Sequence, residues 1–407
     1  MAAASTLNSV AFIYKRLYAD KVGDSAMRKH PLFSKMRKEG GFGGTAFYYP
    51  IRYGNPQGIA STLSSAITAV ASSKGVQLAA SRKAKYAYIT LDGEAMAAAE
   101  SDSGAFLRLV TTETDGVLEE FTDTLAFDLY RNGYGARGQR RSASTNVITM
   151  GTTTAADADS ARNFKVGMAV AAGPNENGTS LRTITGTVTV TAVDEDAGTI
   201  TLSDASAIAS FADNDYIFRL GDTGGVCLEG LSAHFPLTAP TAGDSFRGID
   251  RSVDVARLAG SRVNDSSSNA EENLGLLAVK ISQRGKRADS AVLNPVKFWE
   301  VVRRQNAKVI HDGGGGTATY GFEMIKLATP AGTLDLYSDP DCPTNRGYVL
   351  NMSTLYVKHL KPLPHIVQDD GRAHLRITAE DSIEARVRCW SNLICTDPAA
   401  NGVCNFA

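Results

Sequence analysis

Acid–base, nucleophilic and metal chemistry near neutral pH is carried mainly by histidine, cysteine and paired carboxylates. The chain's six histidines (His30, His234, His311, His359, His365 and His374) include no i,i+4 pair and no HExxH, the arrangement that puts two ligands on one helix face. Five cysteines (Cys227, Cys342, Cys389, Cys395 and Cys404) lie at spacings with no metal pattern, so they read as reduced thiols of a cytosol-made protein. Glu380 and Asp381 are neighbours in a strand-like stretch and so point to opposite faces, unable to act as a facing acid/base pair. There is no GxSxG elbow. The acid run Asp194, Glu195, Asp196 sits in a turn signal and lacks the ligand ladder of a calcium loop. Two glycine-rich stretches, GGFGGT at 40–45 and HDGGGGTATYG at 311–321, lack the Gly-Lys-Ser/Thr ending of a phosphate loop. They read as a hinge and a loop. These residues point to no enzyme, no catalytic or metal centre and no cofactor.

What remains is contact chemistry. Between Met1 and Gly40 there are eight basic residues, among them Lys15, Arg16, Lys35, Arg37 and Lys38, against three acids. Such an arm can meet phosphates or an acidic partner. The 407 residues carry a net charge of −1, so no bulk bias toward nucleic acid or membrane exists. No apolar run approaches the roughly 18 residues of a membrane span, and the N-terminus does not read as a signal peptide.

The elements that position such contacts are legible in outline. From Ser103 to Asn132 the apolar residues Phe106, Val110, Val117, Phe121 and Leu125 recur by four or seven, predicting one long helix with that set as its buried face. Before it, AFYYPIRY (46–53) and AKYAYITL (84–91) read as the outgoing and return strands of one extended hairpin with a small-residue tip. A hairpin of that length cannot bury both faces alone. This predicts that Tyr48, Tyr49, Arg52 and Tyr53 contact another subunit. After the glycine turn NGYG (132–135) the composition shifts. Residues 151–222 are rich in Thr, Ala, Val and Gly, hold four basic residues against ten acids, and alternate with period 2 in TGTVTVTAV and TITLS. They read as a small all-β insertion. Beyond it, helices over 273–307 mix with several strands, giving an α+β class.

In their order these parts resemble the major capsid proteins of tailed phages, the Hong Kong 97 type. The most telling piece is AKYAYITLDGEAMAAAESDSGAFLRLV, which looks like the family's extended-loop return strand running into its spine helix. In many members the spine helix ends in an NGxG turn soon followed by a Gly-Leu step. Here NGYG is present, but LEGL (228–231) comes only after the β insertion. AVLNPVKFWEVVRRQ followed by GTLDLYSDPDCP resembles the axial-domain helix and the strand and turn after it. The resemblance implies an N-terminal arm (1–45), an extended loop (46–92), and a spine helix with the start of the peripheral domain (93–138). An inserted β domain (139–222), a return to the peripheral domain (223–252), an axial domain (253–345) and closing strands (346–407) follow. It also implies self-assembly as hexamers and pentamers into an icosahedral shell around double-stranded DNA, in a virion built in the host cytoplasm. The implied partners are a separate scaffolding protein, a portal protein, the packaged DNA and, where one exists, a decoration protein, with no membrane. Two other readings are open: an encapsulin-like compartment shell, and a monomeric glycan-binding or adhesin-type protein using the β module.

Overall fold

The structure is a computed structural model that describes residues 30–92, 103–184, 186–305, 324–368, 375–376 and 382–406. It divides into two compact units. One is built from the chain up to Tyr130 together with His234 onward, the other from Arg131–Ala233. Among the described residues no helix is long and apolar enough to cross a membrane.

The first unit is organised on a helix of 28 residues, Ser103–Tyr130, about 42 Å long at 1.5 Å per residue. Its second half buries Leu118, Phe121, Leu125, Ala126, Leu129 and Tyr130, while Val117 is half-buried. Phe106 and Val110 lie where side chains fall outside the described residues. Thr122 and Thr124 donate their hydroxyls back to Leu118 and Glu120 carbonyls at 2.8 Å, which spares two buried polar groups from being orphaned.

Beside this helix runs a sheet centred on the 14-residue strand Ser382–Cys395. Lys83–Asp92 pairs with it antiparallel over ten positions, from Lys83 opposite Ser391 to Asp92 opposite Ser382. Leu355–His359 pairs on its other side and is followed by a parallel edge strand, Arg37–Glu39. A 2.7 Å ion pair, Lys85 to the buried Asp128, ties this sheet to the long helix. A second, mixed six-stranded sheet has the order Ser261–Asn264, Gly402–Asn405, Arg346–Leu350, Ser290–Leu293, Gly332–Ser338, Met324–Thr329. Helices Ala270–Ser282 and Pro295–Gln305 cover it with Leu274, Leu277, Ile281, Phe298, Val301 and Val302.

The extended hairpin differs from the sequence expectation. Ala46–Gly54 pairs with Lys74–Ser81, Tyr49 opposite Leu78 and Ile51 opposite Val76, whereas the expected return strand at 84–91 belongs to the long-helix sheet. The reason lies in pairing. Alternating Tyr86, Tyr88 and Thr90 suit any antiparallel partner, and the one they find is about 300 residues away. A six-residue helix, Leu63–Thr68, sits between the two hairpin strands, with the Thr62 side chain capping Ser65 N–H.

The second unit is a closed barrel: Tyr216–Arg219, Ala136–Ser144, Val147–Met150, Thr199–Leu202, Val188–Asp194 and Ala169–Gly173. Ile148, Met150, Val170, Val188, Val190, Ile200, Leu202 and Ile217 fill its interior, as period 2 requires. The barrel recruits Ala136–Ser144, so the unit begins right after the long helix. The turn there is tight. Cys227 N–H donates to the Gly133 carbonyl at 3.2 Å, and Gly135 holds φ +85° with the Asp222 carbonyl against it.

Candidate assembly surfaces

The hairpin places its side chains by strand alternation. Tyr49 and Ile51 face inward with Phe42, Leu78, Ala80, Leu258, Tyr356 and Ile394. Tyr48 and Arg52 face out, Tyr48 58% exposed against 4% for Tyr49. Tyr49 is therefore withdrawn from the set expected to touch another subunit. Neighbours in a strand cannot share a face, and the Tyr49 hydroxyl already accepts from Arg247 at 2.8 Å. Arg52 donates to Asn55 Oδ1 at 2.7 Å, and Tyr53 is half-buried against the same core.

The tip is more unusual than the strands. The helix Leu63–Thr68 buries no residue at all. Leu63 and Ile67, one turn apart, form an apolar stripe with Ile59 and Val70, all 64–92% exposed. Scattered exposed apolar residues are ordinary, but a clustered set at the end of a projection marks a contact surface. The sequence reading of a small-residue tip misses this apolar stripe. The signal was there in Ile59, Leu63, Ile67 and Val70, at spacings of three and four. A second exposed set lies on the long-helix sheet: Tyr86 and Tyr88, with Trp390 donating to the Tyr86 hydroxyl at 3.2 Å and Arg388 4.5 Å over the Trp390 ring. A third is Trp299 with Val296 on the helix Pro295–Gln305.

Of the basic arm, Lys15 and Arg16 lie outside the described residues. Lys35, Arg37 and Lys38 are exposed but partly engaged within the chain. The Lys35 ammonium stands 3.5 Å from the Tyr337 ring centroid, Arg37 donates to Ser353 O at 3.0 Å, and Lys38 lies 4.4 Å over Phe33.

His30 is a site that sequence reasoning missed. It precedes Pro31, the first residue of the helix Pro31–Lys35, and is 4% exposed. Its Nδ1 lies 2.6 Å from Asp341 Oδ2 and its Nε2 2.8 Å from Asp123 Oδ1 on the long helix. Burial by itself would lower the imidazole pKa. Hydrogen bonds to Asp123 and Asp341 and their charges outweigh that and hold it at about 9. Asp339, fully buried, accepts from Leu32 N–H and Asp341 N–H. Burial first, then the Asp341 charge, push it up to about 6. His30, Asp339 and Asp341 each bring one atom within 4.8 Å of the others, the grouping that could hold a metal ion. The 2.6 Å separation is instead that of a hydrogen bond, since two ligands about 2.1 Å from one ion sit farther apart. Asp123 and Asp341 lie 93 and 311 residues from His30; the local cue was the Asp339-Pro340-Asp341 turn.

His234 and the five cysteines are sequestered. His234 Nε2 meets the Leu393 carbonyl at 3.2 Å, and burial, with Arg247 and Arg251 nearby, holds its pKa well below the usual value. All five cysteines are buried thiols. Burial pushes Cys389, Cys395 and Cys404 up to about 12, leaving protonated thiols at neutral pH.

No protein-family model matches this chain, and no curated protein does. Solved structures do. The Cyanophage A-1(L) capsid asymmetric unit matches over 93% of this chain and 92% of that one, with a TM-score of 0.56 at 10% identity. The capsid of an empty GTA particle matches over 92% and 89% at 11% identity, with a TM-score of 0.46. The satellite phage P4 procapsid, solved with a size determination protein, matches over 97% and 91% at 8% identity and a TM-score of 0.40. The fold assignment rests on the first of these, whose chain is covered almost end to end. At 10% identity the likeness is one of fold, and it covers nearly the whole of both chains: this chain has the Hong Kong 97-type capsid fold.

Proposed function

We propose that this chain is a major capsid protein, assembling as hexamers and pentamers into an icosahedral shell that encloses double-stranded DNA. It has no enzymatic role in this reading. Its partners are further copies of itself, a separate scaffolding protein, a portal protein and the packaged DNA, with a decoration protein where one exists. It assembles in the host cytoplasm and ends in the virion. The observation that carries the reading is the hairpin tip. A tip whose six-residue helix has no buried residue and which exposes four aliphatic side chains, two on the helix and two beside it, is stable in water only at a cost, and a second copy of the chain covers it. Tyr48, Arg52 and Tyr53 extend the same contact along the strand. Lys15, Arg16, Lys35, Arg37 and Lys38 serve DNA or a neighbouring subunit. The Arg131–Ala233 barrel is an insertion in the turn after the spine helix, and its surplus of acids suits a surface that does not meet phosphate.

The test is electron microscopy of the protein expressed alone and with a candidate scaffolding protein, beside the double variant Leu63→Glu/Ile67→Glu. The parent should form closed shells or rings of five or six subunits. The variant, altered only at exposed positions, should fold and remain unassembled. A parent that stays a monodisperse monomer in both settings, or a variant that closes shells as well as the parent, refutes the reading.

A further inference from the structure

We propose that His30, clamped between Asp123 of the long helix and Asp341, is a proton-operated latch that fastens residues 30–39 to the long helix and releases them when the imidazole loses its charge. The inference stands independently of the assembly reading, since it concerns contacts within one chain.

The geometry carries it. An imidazolium has two N–H donors, and both are used here, at 2.6 and 2.8 Å, on two carboxylates from different elements. A neutral imidazole has one donor and one lone pair. Whichever tautomer forms, one carboxylate then faces a lone pair at hydrogen-bond distance, and that contact must open. The pocket sharpens the effect because three carboxyl groups, Asp123, Asp339 and Asp341, gather around His30. Asp123 on the long helix and Asp341 on the turn contact His30 directly, Asp339 lies beside them, and Tyr130 of the long helix is within electrostatic reach of Asp339, Asp341 and Cys342. Of the other cations of the same segment, Lys35 lies on the Tyr337 ring, Arg37 donates to Ser353 O and Lys38 lies over Phe33. Removing the His30 proton leaves the Asp123 and Asp341 charges side by side with the buried Asp339, and repulsion replaces the bridge.

What the latch holds is a definite segment. His30 leads into the helix Pro31–Lys35, whose Leu32 N–H donates to Asp339 at 3.3 Å. It continues into the edge strand Arg37–Glu39, parallel to Tyr356–Lys358. An edge strand of three residues has little hydrogen bonding of its own to keep it in place. The latch thus fixes the start of the segment 30–39. A folded-state pKa raised from 6.5 to about 9 means the latch is fully engaged below pH 6.5 and lost as pH rises through about 9. Release is alkaline, not acidic.

The test uses the full chain labelled with [13C]histidine, together with pulsed amide hydrogen exchange corrected for intrinsic rates. The His30 ring should titrate near 9, and amides of 31–39 should lose at least tenfold in protection between pH 7 and pH 10, while barrel amides do not. His30→Gln should show the low protection at both pH values. His30→Arg, charged throughout, should keep protection flat and high. If the arginine does not fit the pocket, Asp341→Asn gives the same decision, because with one carboxylate left the His30 midpoint should fall toward 6.5. A His30 midpoint near 6.5 in the parent, or protection of 31–39 that ignores pH, overturns the proposal.

Discussion

Replacing Gly135 by alanine probes the turn that follows the long helix. Gly135 holds φ +85°, in the left-handed region, where a Cβ costs roughly 1–2 kcal/mol. The added carbon would also lie 1.8 Å from the Asp222 carbonyl oxygen. Real Cβ atoms essentially never approach below 3.0 Å, so the carbonyl must retreat by 1.2 Å, the difference between 3.0 and 1.8. A forced shift of this kind costs roughly 1–3 kcal/mol. The two together come to about 2–5 kcal/mol. In a unit of about 100 residues each kcal/mol moves the midpoint by roughly 4–8 °C. Gly135→Ala should therefore lower the calorimetric transition of the 131–233 unit by at least about 8 °C. Gly221→Ala separates the two contributions. Gly221 has nearly the same φ, +88°, but nothing within 4 Å of the added carbon, so it should lose only the backbone part, about 1–2 kcal/mol. Trp299 and Trp390 both lie outside 131–233, so tryptophan fluorescence follows the other unit and should melt unchanged in both variants. Equal losses in Gly135→Ala and Gly221→Ala, or a Gly135→Ala transition indistinguishable from the parent's, would refute the reasoning.

Two further outcomes follow from buried groups. Asp215 accepts both Arg182 Nε and Nη2 at 2.8 Å and the Ala212 N–H at 2.7 Å. Burial alone would raise its pKa, but these bonds and the charges of Arg182 and Arg140 hold it below 3.8. Its contribution is present above pH 3.8 and lost as pH falls through the folded value, so Asp215→Asn should cost the barrel about 2 kcal/mol at neutral pH and less in acid, read from denaturant midpoints. The five cysteines are buried, and a thiol-specific chromogenic reagent should find none of them in the native chain at pH 8 and all five after unfolding. Rapid reaction of any one in the native state would contradict its placement.

The parts of the fold legible in the sequence are those fixed by local spacing. Phe121 and Leu125 are set four apart on a helix, and the period-2 strands Val188–Asp194 and Thr199–Leu202 carry their pattern within ten residues. Pairing is not local. Nothing within AKYAYITL distinguishes a partner at 46–53 from one at 383–390, and the blander KGVQLAAS took the hairpin position because its Val76, Leu78 and Ala80 fit beneath Tyr49 and Ile51. Adjacent Tyr48 and Tyr49 could have been separated by alternation alone. His30 could not have been found in that way, since its partners are brought to it by two different elements far along the chain.

The bond from Cys227 N–H to the Gly133 carbonyl has a consequence for how such a chain can change over evolutionary time. The segment that leaves at Gly133 returns within one hydrogen bond of its departure, so whatever lies between is a detour with almost no net displacement. Replacing the barrel by a short turn, or by another domain whose ends lie equally close, alters the path length without moving either stump, and the closure entropy depends only weakly on that length. A closed barrel also offers no free strand edge for unintended pairing. Gly133 and Cys227 are therefore the two points between which a short turn, or another domain with equally close ends, can be grafted without stretching the chain.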